Sequence, residues 1–125
     1  MDDAQLLQYS RHIMLPDFDV AGQEKLLHAR VLLIGAGGLG SPIALYLGAA
    51  GVGHMTIVDD DKVDASNLQR QIAHGDGDIG ENKAVSAGAA ITAVNPTARV
   101  HAITQRLAGD ALSQQVAAAD LVIDA

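Results

Sequence analysis

A chain of 125 residues with 49% hydrophobic residues has room for one core, and its formal net charge of −7, with only eight Lys and Arg residues, excludes the clustered cationic surface that nucleic-acid binding requires. Tyr9, Phe18 and Tyr46 are the only aromatics, so the core must be aliphatic and alanine-rich, a composition suited to helices packed closely on a sheet. No apolar run reaches the roughly 18 to 20 residues of a membrane span, Met1-Asp2-Asp3 is no cationic leader, and the lack of cysteine excludes a thiolate nucleophile and Cys-ligated zinc within the chain; a cytoplasmic protein is the expectation.

In chain order, residues 1–28 read as a helical arm and 29–125 as a nucleotide-binding core. Leu6, Leu7, Ile13 and Met14 give Asp3 to Leu15 a helical pattern that Pro16 stops, and Val20 to Leu27 reads as a second short helix. Val31 to Ile34 is then a continuous apolar strand, Leu39 to Ala50 a helix, and Met55 to Val58 a strand ending in Asp59-Asp60-Asp61. The polar stretch from Lys62 to Asn82 reads as a solvated loop in which Ser66-Asn67-Leu68-Gln69 has the spacing of a capping box. Asn82 to Val94 is a helix ended by Asn95-Pro96, Arg99 to Ala102 a strand, Asp110 to Ala119 a helix and Leu121 to Ile123 a last strand.

This alternation predicts an α/β fold of the Rossmann type, a doubly wound and mostly parallel sheet with the first and last of these strands side by side. The ligand crevice should open at their C-terminal ends. The chain stops at Asp124-Ala125, where the last strand would deliver a loop into that crevice, so the expectation is a fragment of a larger domain.

Gly35, Gly37 and Gly40 form G-x-G-x-x-G between a predicted strand and a predicted helix, which is the context that gives this motif its meaning. Gly35 would permit the tight turn, Gly37 would let a phosphate approach the backbone, and Gly40 would allow close helix–strand packing. Asp59 stands 19 residues after Gly40 at a strand end, where a carboxylate can accept ribose hydroxyls. An adenine nucleotide follows, but both NAD and ATP fit. ATP carries about four negative charges against about two on the NAD pyrophosphate and calls for cationic side chains. Asn67, Arg70 and Lys83 follow Asp59, the first two about one helical turn apart. The alternative is that Ser66 and Asn67 only cap a helix, Arg70 pairs with an aspartate, and Lys83 is solvated. An NAD-dependent oxidoreductase domain and a non-catalytic protein-binding remnant thus stay open on the residues alone.

"YSRHIML" (Tyr9 to Leu15), "GAGGLG" (Gly35 to Gly40), "GVGHMTIVDDDKVDASNLQRQ" (Gly51 to Gln71) and "GENK" (Gly80 to Lys83) together resemble the E1-like activating enzymes, especially the bacterial adenylyltransferases of molybdopterin and thiamine biosynthesis. The resemblance spans essentially the whole chain. It implies an enzyme that uses ATP and magnesium to adenylate the C-terminal Gly-Gly carboxylate of a ubiquitin-like sulfur-carrier protein. Carried onto this chain, it implies that Gly37, Gly38 and Gly40 line the phosphate turn, that Asp59 binds the ribose with Asp61 beside it, and that Asn67, Arg70, Gln71 and Lys83 hold the phosphates. Arg70 and Lys83 would also meet the charge that grows in the transition state. Arg11 would reach into the site of a partner protomer, implying a homodimer. The family's magnesium-binding aspartate belongs to an Asp-x-Thr-Asp-Asn pattern of which this chain holds only Asp124, expected as a crevice residue, so no metal ligand is expected here. The Cys-x-x-Cys zinc site of many members would likewise fall past Ala125.

Overall fold

Val31, Leu32 and Leu33 are each at most 5% exposed, and the architecture follows from the need to cover both sides of that run. The structure is a computed structural model describing residues 1–125. Its elements are α1 (Asp3–Gln8), α2 (Ser10–Ile13), α3 (Asp19–His28), β1 (Arg30–Ile34), α4 (Gly40–Ala50), β2 (His54–Val58), α5 (Lys83–Val94), β3 (Arg99–Ile103), α6 (Gly109–Ala118) and β4 (Leu121–Asp124).

The four strands form one parallel sheet in the order β3-β2-β1-β4. The first and last strands are neighbours, as the doubly wound reading expects, with Leu33 opposite Ile57 on one side and Ile123 on the other. Alternation along each strand sends Val31, Leu33, Met55 and Ile57 to one face, where they pack with Ala44 of α4 and with Ala84, Ala87 and Ile91 of α5. Leu32 points to the opposite face, where Gln115 and Ala118 of α6 approach Leu32 and Thr56. Right-handed crossovers produce this division: two steps outward place α4 and α5 on one side, and the return to β4 places α6 on the other.

Local chemistry sets the ends. Asn82 starts α5 by accepting from the amides of Ala84 and Val85, and Asn95, ahead of Pro96, ends it. Pro42 sits in the first turn of α4, where its missing N–H leaves no hydrogen bond unmade. No helix is long and apolar enough to cross a membrane.

Three expectations are corrected. The helix read as continuous from Asp3 to Leu15 breaks at Tyr9, whose backbone leaves helical geometry (φ −102°, ψ 14°). Tyr9 is 2% exposed, and its hydroxyl accepts a 2.8 Å hydrogen bond from Asn95 Nδ2 at the far end of α5, so tertiary anchoring overrides local periodicity. In the polar stretch the capping residue is Asp64, not Ser66: Asp64 accepts from the Ser66 amide while Asn67 Oδ1 accepts from the Asp64 amide. Nor is this stretch merely solvated, since Val63, Ala73 and His74 are buried within it.

Candidate functional site

At the C-terminal end of β1 the chain turns on Gly35, whose φ of +101° favours glycine and whose amide donates to the Val58 carbonyl at 2.8 Å. A β-carbon on Gly40 would strike the Gly35 carbonyl, so this glycine lets α4 begin directly against the turn. Gly37 and Gly38 have no such internal reason: nothing lies within 4 Å of a β-carbon at Gly38, and the nearest atom at Gly37 is Gln71 Nε2 at 3.6 Å. Their outer side is open. The amides of Gly37, Gly38, Leu39 and Gly40 donate to no acceptor in the chain, and Leu39 provides no side-chain cap. A row of unused N–H groups at the head of an 11-residue helix is a receptor for an anion.

Asp59, at the end of β2, buttresses this turn. One carboxylate oxygen accepts from the Ala36 amide at 2.8 Å and the other from the Asp61 amide at 2.9 Å. A carboxylate offers about four lone-pair positions, so acceptor capacity remains for a sugar hydroxyl. Asp61 then reaches Lys83: its Oδ2 lies 3.3 Å from Nζ, and its main-chain carbonyl accepts from the Lys83 amide at 2.9 Å. The backbone amide of Lys62 and then the Lys83 ammonium hold the Asp61 carboxyl below its ordinary range. Asp64 is held low as well, by the amide and hydroxyl of Ser66.

Lys83 is only 7% exposed at the start of α5, which rules out the solvated alternative. Gln71, 4% exposed, sits beside the glycine turn, and its buried Oε1 has no hydrogen-bond partner.

Other expected residues stand apart. Asn67 is engaged in its capping pair with Asp64, and exposed Arg70 donates to the Ser66 carbonyl at 3.2 Å rather than pairing with an aspartate. Arg11 is on α2 and borders a separate cavity with Tyr46, Ala49 and Ala50, beside the C-terminal half of α4, whereas the glycine turn lies at its N-terminus. Asp124 borders a crevice of about 400 Å³ with Gly35, Asp59 and Asp60. No group of three or more His, Cys, Asp or Glu side chains is gathered into one cluster.

Two residues here were not legible in the sequence. Arg106 brings the one cation to the crevice of Asp59, Asp60 and Asp124. His74, 4% exposed, reaches the Ala36 carbonyl with Nε2 at 2.8 Å and the Ser86 hydroxyl with Nδ1 at 2.7 Å. Neither belongs to a spacing pattern, although buried polar residues flanking a glycine turn are where such partners are to be sought.

Residues 9–125 match the ThiF family. The probable adenylyltransferase/sulfurtransferase MoeZ of Mycobacterium tuberculosis is 52% identical over 120 residues, covering 96% of this chain and 31% of MoeZ. The sulfur carrier protein ThiS adenylyltransferase of Escherichia coli is 48% identical over 124 residues, covering 99% of this chain and 49% of that protein. The chain thus spans from 31% to 49% of the length of these two relatives. Among solved structures, the E. coli tRNA N6-threonylcarbamoyladenosine dehydratase TcdA in complex with ATP superimposes with a TM-score of 0.91 at 28% identity, covering 99% of this chain and 51% of that one.

Proposed function

This chain belongs to the ThiF family, and on that premise we propose that it is the nucleotide-binding part of an ATP-dependent adenylyltransferase. Its acceptor is the C-terminal Gly-Gly carboxylate of a small ubiquitin-like sulfur-carrier protein serving molybdopterin or thiamine biosynthesis. The observation that carries this reading is the Lys83 side chain, only 9% exposed, joined through Asp61 and Asp59 to the Ala36 amide, immediately before the unused amides of Gly37–Gly40. A dinucleotide pyrophosphate can be held by the amides alone, whereas a triphosphate needs the additional cation.

In this mechanism the amides of Gly37, Gly38 and Gly40 bind phosphate oxygens and Asp59 accepts the ribose hydroxyls. The carrier's carboxylate oxygen attacks the α-phosphorus, the bond from that phosphorus to the bridging oxygen breaks, and pyrophosphate leaves with the negative charge. Lys83 and Arg70 meet that charge, with Asn67 and Gln71 orienting the phosphates; Arg70 leaves the Ser66 carbonyl to do so. Magnesium would supply further charge neutralisation when bound. Arg11 acts across a homodimer, on the partner protomer's nucleotide, which is consistent with its place at the opposite end of α4 from its own glycine turn.

The test is carrier-dependent exchange of labelled pyrophosphate into ATP by the full-length protein, assayed with thiamine-type and molybdopterin-type carriers. Arg70→Ala and Lys83→Ala should each lower exchange by about a hundredfold or more, as removal of a charge-stabilising group does. Unchanged exchange in both variants would remove these residues from the mechanism, and binding of NAD without ATP would overturn the reaction itself.

A further inference from the structure

His74 joins two parts of the site that no secondary-structure element links. Its Nε2 faces the Ala36 carbonyl, which can only accept, so Nε2 donates there, and Nδ1 is hydrogen-bonded to the Ser86 hydroxyl. Ser86 lies three residues after Lys83 on α5, and residues so spaced share a helix face. We propose that His74 is a positioning residue of the phosphate turn: by tying the Ala36 carbonyl to α5 it fixes the direction of the Gly37 amide relative to the Lys83 ammonium.

The reason is peptide geometry. The Ala36 carbonyl and the Gly37 N–H belong to one planar trans peptide and point in opposite directions, so holding the oxygen inward on His74 aims the N–H outward. Gly37 and Gly38 put little steric restraint on that plane, and a turn of this composition can rotate its peptides at small cost. Ala36, fully buried, is held at both of its polar groups: its own amide donates to Asp59 and its carbonyl accepts from His74, with Ser41 Oγ a longer donor at 3.4 Å. Donors fixed in advance lose less on binding an anion than donors that must first turn toward it. The ring therefore acts through the backbone and touches no ligand.

The inference rests on the triphosphate reading above and is tested by comparing ATP with adenosine, which lacks the phosphates, by calorimetry on the full-length protein. His74→Ala should weaken ATP about tenfold, the worth of one hydrogen bond, while adenosine affinity changes less than about twofold. His74→Gln, whose amide nitrogen can still reach the Ala36 carbonyl, should restore most of the loss. Ser86→Ala, which keeps the ring and removes one of its two anchors, should weaken ATP selectively by a smaller factor and serves where His74→Ala does not fold. Equal losses for ATP and adenosine, or no loss in any variant, would overturn the proposal. A wild type that binds ATP no more tightly than adenosine would overturn the triphosphate reading and this inference with it, and that result is read without any variant.

Discussion

Replacing Lys83 by methionine separates what this side chain does for folding from the role proposed for it toward the nucleotide. The substitution keeps most of the buried stem and removes only the charge. The ammonium stands 3.3 Å from Asp61 Oδ2, with side-chain exposures of 9% for Lys83 and 70% for Asp61. Two unit charges at about 4 Å attract by about 1 kcal/mol in water and about 4 kcal/mol in a protein-like medium. The open carboxylate places this pair toward the watery end, so losing it should cost at most about 1 kcal/mol of stability. Against a triphosphate the same ammonium meets more charge in a space from which the ligand expels water, and its loss should raise the barrier by about 3 to 4 kcal/mol, a hundredfold or more in rate. Urea denaturation gives the first quantity and pyrophosphate exchange, normalised to folded protein, the second. The reasoning fails if Lys83→Met loses several kcal/mol of stability while exchange stays within about threefold of wild type, because Lys83 would then be a structural cation.

Two further outcomes follow from features away from Lys83. Gly40→Ala sets a β-carbon against the rigid Gly35 carbonyl and should destabilise the protein by about 1 to 3 kcal/mol in urea denaturation; a change below about 0.5 kcal/mol would mean that the turn moves freely. His54 is held below its ordinary pKa of 6.5, first by burial and then by Arg30, Arg99 and His28, so the unfolded chain takes up this proton more readily than the folded one. The associated stability is complete above pH 6.5 and declines as pH falls through that value toward the lowered folded pKa, well above the range in which Asp61 and Asp64 titrate. Thermal denaturation between about pH 7.5 and pH 5 should show this slope flattened in His54→Gln, and equal slopes would remove His54 as its source.

The sheet and its glycine turn were readable because each rests on a local signal that tertiary structure has no cause to override. An uninterrupted apolar run must be buried on both faces, and the glycines mark a turn that side chains would obstruct. The capping box starts two residues earlier than its sequence spacing predicts because Asp64 and Ser66 are both good caps, and the choice between them is made by the mutual bond of Asp64 with Asn67. The break at Tyr9 and the role of His74 come from bonds to Asn95, Ala36 and Ser86, partners 86, 38 and 12 residues away in the chain, which periodicity cannot register. The sequence points to Lys83 but carries no sign of its burial. Burial depends on the loop over residues 62–82 folding back along Asp61 and Asn82, a path fixed by backbone bonds rather than by composition.

The broken N-terminal helix bears on reach. Both neighbours of the Ser10-Arg11 pair are fastened to the core: Tyr9 by Asn95, which also donates to the Gly48 carbonyl, and His12 by Gln23, whose amide in turn grips the Ala50 carbonyl. Arg11 itself is exposed and makes no hydrogen bond or ion pair within the chain. Its guanidinium is thus a free tip on a stiff mount, like a gauge needle whose pivot is clamped. Whatever this arginine meets must come to a fixed place on the surface, and loosening Tyr9 or Gln23 would be felt at the tip.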